Sequence, residues 1–455
     1  MSMRELISQL IEATERAQTT AYKGSIFDSE WAGFKNIEGF GSLNMSREMN
    51  RIVREISVLL YDADKSFWRS WAREDWFRIV DRTLIPLIAK SNPSHDRETA
   101  VADIVRNLTV ELEQQKSTRP ISFIFGCYLF AEDIGCPVKF GKLSFWPRVL
   151  WLDEQVKLDR ISQAVHHRLK ARWQAQPDIS DGNDLSEFPE DEAVEASIMG
   201  AIGPCTYVCE VTTDGLSGRS AQSKALMAMR FGLAGIALTW ETPSKALENM
   251  PSLFDGLSRI QENAVVAGGR VRPGGIHRTG GNGQHLIDTN WEKIERDYRE
   301  IFGTITDVIT CLLDAKGDIP RAKLMDALAH SLLWFHEACR EDLPMVAVTK
   351  YIAALDALAS GSGGAAGIVN VAAARFNMGK DDPIRPNGPS LNTALTDLYS
   401  QGRSRLLHGS SDRLMHDWEA SRNLAESLAR HALVCCLDWA ASNPECDDPK
   451  AMAKR

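Results

Sequence analysis

The chain has 455 residues, 44% hydrophobic and 25% charged, with a formal net charge of −9. Such a length suits two or three domains of ordinary size, and the apolar content can fill a sizeable core, which excludes wholesale disorder. The acidic balance argues against broad, non-specific nucleic-acid binding, and no run approaches the roughly 18 apolar residues that read as a membrane span. Met1 to Arg16 reads as a polar amphipathic helix, with Leu6, Leu10 and Ala13 at helical spacing, and not as a secretion signal. Gly24 to Asn44, rich in Gly and Phe, reads as a loop, and residues 45–90 as helix again. Within that stretch Phe67, Trp68, Trp71, Trp76 and Phe77 recur at the steps a buried helix face needs. A platform for stacking bases is the alternative, disfavoured because few basic residues interleave with the rings.

Strand character begins at Pro120, with Ile121 to Phe125 bounded by Gly126. Val138–Phe140 and Leu143–Phe145 flank Gly141-Lys142, which predicts a tight hairpin. A polar helix is expected from Glu154 to Trp173, and the acidic run from Asp178 to Glu195 reads as a solvated loop or linker. Thr206–Thr212 reads as a strand, and Ser220–Leu238 as a mostly apolar helix interrupted by Arg230 and two glycines. Cys205 and Cys209 share a face, but no second ligand pair answers them. The nine cysteines show no repeated CxxC, which suits a reducing cytoplasm with buried thiols. Residues 264–287 are Gly-rich and hold His277 and His285. No phosphate-cradling motif occurs there, and two histidines with no nearby Cys are weak grounds for zinc, so a mobile loop is expected.

After Pro320 the pattern becomes helical. Leu324, Leu328, Leu332, Phe335 and Cys339 make one apolar stripe, and Val348, Ile352, Leu355 and Leu358 a second. A short helix through Phe376 and three prolines at 383, 386 and 389 precede a third long helix, with Leu391, Leu395, Leu398, Gly402 and Leu406, which stops at Gly409. A fourth, from about Leu414 to Trp439, has Leu424, Leu428, His431, Cys435 and Trp439 on its stripe. These spacings describe an antiparallel four-helix bundle. The class is therefore α+β. A mostly helical region spans 1–115, and an α+β region that senses or regulates spans 116–318. The bundle spans 319–443, with 12 basic against 13 acidic residues over 321–443, and a polar tail occupies 444–455.

The third helix ends Tyr399-Ser400-Gln401-Gly402-Arg403-Ser404-Arg405-Leu406-Leu407-His408-Gly409. Tyr399, Arg403, Ser404, His408 and Gly409 resemble the signature of the HEPN superfamily, and within it the Apea-like branch. Leu333-Trp334-Phe335 and the Ala353–Leu358 stretch resemble two further family segments. One departure is Asp356, where the family usually shows Glu. The resemblance covers roughly 320–443. It implies a metal-independent, cofactor-free endoribonuclease with Arg403 and His408 as the catalytic pair, in antiviral defence or growth arrest as a toxin gated by the front region. It also implies a homodimer whose two motifs share one cleft, in a cytoplasmic, non-membrane protein with an RNA substrate and an unknown trigger.

The chemistry suits those residue types. Cleaving RNA without a metal requires a base for the 2′-hydroxyl proton, which a histidine supplies near neutrality, and a group for the charge growing on phosphate, which an arginine forks onto. His408, at a helix C-terminus, gains from the carbonyl end of the dipole when protonated. Arg405 and Arg413 are candidate phosphate contacts, Asp356 a structural acid, and Tyr399 a packing residue. Five residues at about 100° each place Arg403 and His408 roughly 140° apart on a regular helix. A single helix would not make them converge, and the dimer implied by the resemblance resolves this, with Gly402 permitting close approach at its interface. The rival reading is an inactive bundle serving as a dimerisation or ligand-binding module.

Overall fold

A computed structural model describes all residues except 20–30, 64–66, 92–95, 116–118, 175–189, 257–258, 268–269, 280–282, 287–289, 318, 411–415 and 455. They divide into two units, one formed by Met1–Ile121 with Thr213–Ser223 and Asp314–Gly317, the other by the rest.

In the first unit, helices α1 (Met3–Thr19), α2 (Arg47–Ala63), α3 (Phe67–Ser70), α4 (Arg73–Lys90) and α5 (Arg97–Gln115) accompany a two-stranded sheet. α2 buries Met49, Ile52, Val53 and Ile56 at steps of three and four, which leaves its opposite face to solvent. Trp71 and Trp76 are core residues whose rings meet edge-on at 5.8 Å. The Trp76 indole N–H donates to the Ser57 carbonyl at 3.2 Å, so its polar edge is satisfied. The loop expected over Gly24–Asn44 is, in its described part, a hairpin of β1 (Trp31–Ile37) and β2 (Gly41–Ser46). Gly39, at φ 77°, makes the turn.

The second unit is organised by a four-stranded sheet of β3 (Ile121–Cys127), β4 (Val138–Phe140), β5 (Leu143–Pro147) and β6 (Tyr207–Thr213), in the order β3-β6-β5-β4. The β4–β5 hairpin closes with Phe140 opposite Leu143 and Gly141 at φ 62°. Along β6 the pleat sends Val208 to one core, with α6 (Arg148–Lys157), α7 (Gln163–Gln174) and α8 (Glu190–Ile202). It sends Tyr207, Cys209 and Val211 to the other, under α9 (Gly218–Ala237). The helix is continuous through Gly232 and Gly235, which packing explains. A Cβ at Gly232 would lie 2.5 Å from Leu143, and one at Gly235 2.5 Å from Ile305, so both permit close packing. The single helix expected over 154–173 is two, α6 and α7, broken where Asp159 adopts φ 55°. The acidic run is helical from Glu190 onward; residues 178–189 lie outside the described residues. α10 (Pro243–Asn249) precedes the Gly-rich region. There the expected loop is instead largely an antiparallel hairpin, β7 (Arg259–Ala267) with β8 (Arg270–Thr279), in which Val265, Val266 and Val271 supply β-branched character.

The helical remainder comprises α11 (Trp291–Asp297), α12 (Arg299–Leu313), α13 (Ala322–Cys339), α14 (Pro344–Leu358), α15 (Ala365–Arg375), α16 (Leu391–Asp397), α17 (Arg405–Leu407) and α18 (Glu419–Ser442). The stripes expected on α13 and α14 are buried. On α18 the buried face is instead Ala425, Leu428, Ala429, Ala432, Leu433, Cys436, Leu437 and Ala440. His431 lies outside, edge-on to Phe376 at 5.4 Å. Small alanines face inward because they let α14 and α12 pack closely, while Leu424 and Trp439 cover the flanks.

No separate core begins at 319. One continuous cluster runs from Phe125 to Met452, joining sheet, α9, α12 and the later helices. Arg321, in the left-handed conformation at φ 60°, donates to the Ala440 carbonyl at 2.7 Å and pairs with Asp307 at 2.6 Å. The Thr304 hydroxyl donates to the Leu437 carbonyl at 2.9 Å. α12, which lies in the region expected to be regulatory, thereby shares a core with the later helices.

Candidate functional site

The segment carrying Arg403 begins with α16, capped by the Ser390 hydroxyl, which accepts from the Thr393 N–H at 3.2 Å. It then widens into a π-helical turn over Leu398–Ser404, where the Arg405 N–H donates to the Ser400 carbonyl five residues back. The regular-helix geometry used to place Arg403 and His408 therefore does not hold here. The cause lies opposite, on α14. A Cβ at Gly402 would stand 2.4 Å from Val348 Cγ1, so only glycine lets the backbones come this close. The Gly402 carbonyl accepts from the Thr349 hydroxyl at 2.6 Å, which satisfies a group that a widened turn leaves poorly paired. Gly402 thus makes its close approach inside one chain, not at an interface.

Arg403 turns inward. Its Nη1 lies 2.9 Å from Asp356 Oδ2, with 27% of the arginine side chain and 14% of the aspartate exposed. The same nitrogen donates to the Tyr399 hydroxyl at 3.4 Å, and the guanidinium carbon sits 5.5 Å from the Tyr399 ring centroid. Gly364, at φ 55°, brings the loop after α14 against that hydroxyl. The shorter Asp356 still reaches its partner because the α14 backbone is drawn close at Gly402.

His408 is the C-cap residue of α17, and Gly409 follows at φ 65°. The Ser410 N–H donates to the Arg405 carbonyl at 2.9 Å and the Gly409 N–H to that of Leu406 at 3.2 Å, which is the Schellman closure. The imidazole is exposed and has no hydrogen-bond or ion-pair partner among the described residues. Arg405 and Leu407 beside it are also exposed, and Ser404 is half-buried. Arg413 lies outside the described residues. Within one chain, Asp356, Tyr399 and Arg403 are brought together, and no contact among the described residues joins them to His408.

No protein family, curated protein or solved structure matches this chain.

Sequence reasoning missed Thr349 and Gly364. Thr349 was findable: with Asp356 it forms an i, i+7 polar pair on a helix otherwise dominated by apolar residues, so both face one neighbour. It also missed a buried polar group elsewhere. Arg230 pairs with Asp255 at 2.7 Å and with Glu337 at 3.4 Å. Beside them His336 is fully buried, its Nδ1 3.6 Å from Glu337 and neither ring nitrogen hydrogen-bonded among the described residues, and burial pulls its pKa below the usual value against the pull of Glu337. Other expected candidates are ordinary. His285 pairs with Glu132 at 3.0 Å, the side chain of His277 lies outside the description, and burial pushes the Cys205 thiol up to about 12. No three His, Cys, Asp or Glu gather as a metal site among the described residues, and none of their helices is long and apolar enough to cross a membrane.

Proposed function

We propose that the C-terminal helices form a HEPN-type bundle and that the chain is a metal-independent endoribonuclease. It acts as a homodimer in antiviral defence, gated by its front region. The observation that carries the reading is the division of labour between the two motif residues. Arg403 is held by Asp356 and Tyr399 with part of its fork still accessible, while His408 stands at the end of the same segment with an exposed imidazole. A held guanidinium and an exposed imidazole are the residue types that 2′-hydroxyl attack on a phosphodiester calls for, yielding a 2′,3′-cyclic phosphate and a 5′-hydroxyl. Because no contact among the described residues joins the two, His408 of one protomer is assigned to act with Arg403 of its partner across a shared groove. The exposed Leu407 supplies apolar area for such a meeting.

The test is cleavage of total RNA in EDTA by wild type, Arg403→Ala and His408→Ala. Each variant is expected to lose roughly a hundredfold or more in rate. Cutting by both variants as fast as by wild type, or activity from a stable monomer, would overturn the mechanism. One observation favours the rival, an inactive bundle that binds a ligand or a second copy. Arg403 already has a carboxylate and a ring as partners, as a purely structural arginine would. That rival predicts no cleavage by wild type under any trigger and a melting-temperature loss in Arg403→Ala.

A further inference from the structure

The charged cluster around His336 takes no part in the chemistry assigned to Arg403 and His408. It joins three stretches of the second unit. Arg230 belongs to α9, which packs on the sheet at Gly232. Asp255 belongs to the segment after α10 that returns to the sheet, where the Leu253 N–H donates to the Gly126 carbonyl at 2.8 Å. His336 and Glu337 belong to α13. The guanidinium spans them, with Nη2 2.7 Å from Asp255 Oδ1 and Nη1 3.4 Å from Glu337 Oε1. Arg230 is thereby a charge tie from the sheet side to the later helices.

The same Glu337 Oε1 lies 3.6 Å from His336 Nδ1. The imidazole is 1% exposed, and neither of its nitrogens has a hydrogen-bond partner among the described residues. The charges that act on it are those of Glu337 and Arg340 on its own helix and of Arg230 on α9, and Asp255 feels it in turn. From α14, Lys350 acts on Glu337. From α18, Arg422 and Glu426 act on Cys339, one turn along α13, and both Glu426 oxygens accept from Ser244 of α10.

A proton on His336 would add a third cation to two arginines and two carboxylates, away from water, and such a charge requires an acceptor. Asp255 is poorly placed to supply one. Arg230 holds it at the shorter distance, and the Ser252 hydroxyl fixes its turn by accepting from its backbone N–H at 3.1 Å. Glu337 is better placed, because its side chain is 35% exposed and free to turn, and its contact with Arg230 is the longer one. Its oxygen need move less than about 1 Å to reach hydrogen-bonding distance of Nδ1. We propose that protonation of His336 makes Glu337 exchange Arg230 for the imidazole, so that acid unties α9 from α13 while Asp255 keeps Arg230. The joint is a histidine switch read out as a change of ion-pair partner. It requires no cleavage of RNA by the chain.

The experiment uses the full chain with 13C-labelled histidine rings, the His336 signal being assigned by its loss in His336→Leu. Between pH 7.5 and 5 that signal is expected to move from its neutral to its protonated position. Asp255, against its burial, is held below its ordinary value by Arg230, and Glu337 by the imidazole beside it, so both stay ionised over this range. Glu337→Gln removes the acceptor and is expected to lower the midpoint by about 0.5 or more in pH. The exchange itself is read by urea unfolding in double-mutant cycles of Glu337→Gln with Arg230→Gln and with His336→Leu. The Arg230–Glu337 coupling is expected to be roughly three- to fivefold in the unfolding constant at pH 7.5 and to fall to about one at pH 5. The His336–Glu337 coupling should do the reverse. The titration needs only the partly exposed Glu337→Gln, so the test stands even where Arg230→Gln, which leaves Asp255 unpaired, does not fold. A ring that stays neutral to pH 5, or a midpoint unmoved by Glu337→Gln, overturns the proposal. So does an Arg230–Glu337 coupling that is the same at both pH values.

Discussion

Gly402→Ala is a substitution for which two physical effects have opposite signs, so the sign of the outcome is informative. Gly402 lies in a helical segment with an ordinary φ, and replacing glycine by alanine there stabilises by about 0.5–1 kcal/mol if nothing is in the way. Here the new methyl would lie 2.4 Å from Val348 Cγ1, and Val348 is itself fully buried between helices. Overpacking a well-filled core costs about 1–3 kcal/mol, so the net effect is a loss of about 1–2 kcal/mol. Val348→Ala alone removes two buried carbons, worth roughly 2 kcal/mol with the cavity it leaves. In that background the methyl introduced by Gly402→Ala occupies vacated space, and the double variant should be more stable than the sum of the singles by about 1–2 kcal/mol. The assay is urea unfolding of the four proteins in a double-mutant cycle. A stabilised Gly402→Ala, or a strictly additive double variant, would refute the close approach of the widened turn to α14.

Two further outcomes follow from the charged groups. Asp356→Asn leaves Arg403 without its counter-charge in a site between surface and interior, and should cost about 2 kcal/mol in denaturant unfolding. The combined Arg403→Met and Asp356→Leu should recover much of that, and an Asp356→Asn midpoint equal to wild type would refute the pairing. His336 predicts a pH dependence. Its folded pKa lies below the unfolded value near 6.5, so the unfolded state binds more protons and stability falls as pH drops from about 6.5 through the folded pKa. His336→Leu should flatten the melting-temperature slope between about pH 5 and 7, above the range where the carboxylates titrate, and an unchanged slope would assign that dependence to other groups.

Sequence pattern was informative where one periodicity held over several turns with one buried face. The stripes of α13 and α14 and the Gly141-Lys142 hairpin satisfy that condition. It misled on α18, because alanine is small enough to be passed over when the stripe is drawn through Leu424 and Trp439, yet close packing selects alanine for the inner face. It missed the β1–β2 and β7–β8 hairpins, where strand identity rests on pairing with a partner strand and the glycines mask it. The candidate site divides similarly. Arg403, Asp356 and Tyr399 stand out by residue type, but the π-helical turn that arranges them depends on Val348 and Thr349 of another helix, and no local rule reports that.

Arg321 has a consequence for how such a chain can change. Its guanidinium clamps α12 to the end of α18 at the junction where a nuclease module would have to be cut free. A fragment starting there loses Ile305, Val308 and Ile309 from its interior along with the strands behind them. The helices bearing Arg403 and His408 are thus not a cassette that recombination can graft elsewhere unchanged. A substitution in the sheet is felt by the helices as well, so drift in the sheet and α12 is constrained by whatever the motif does.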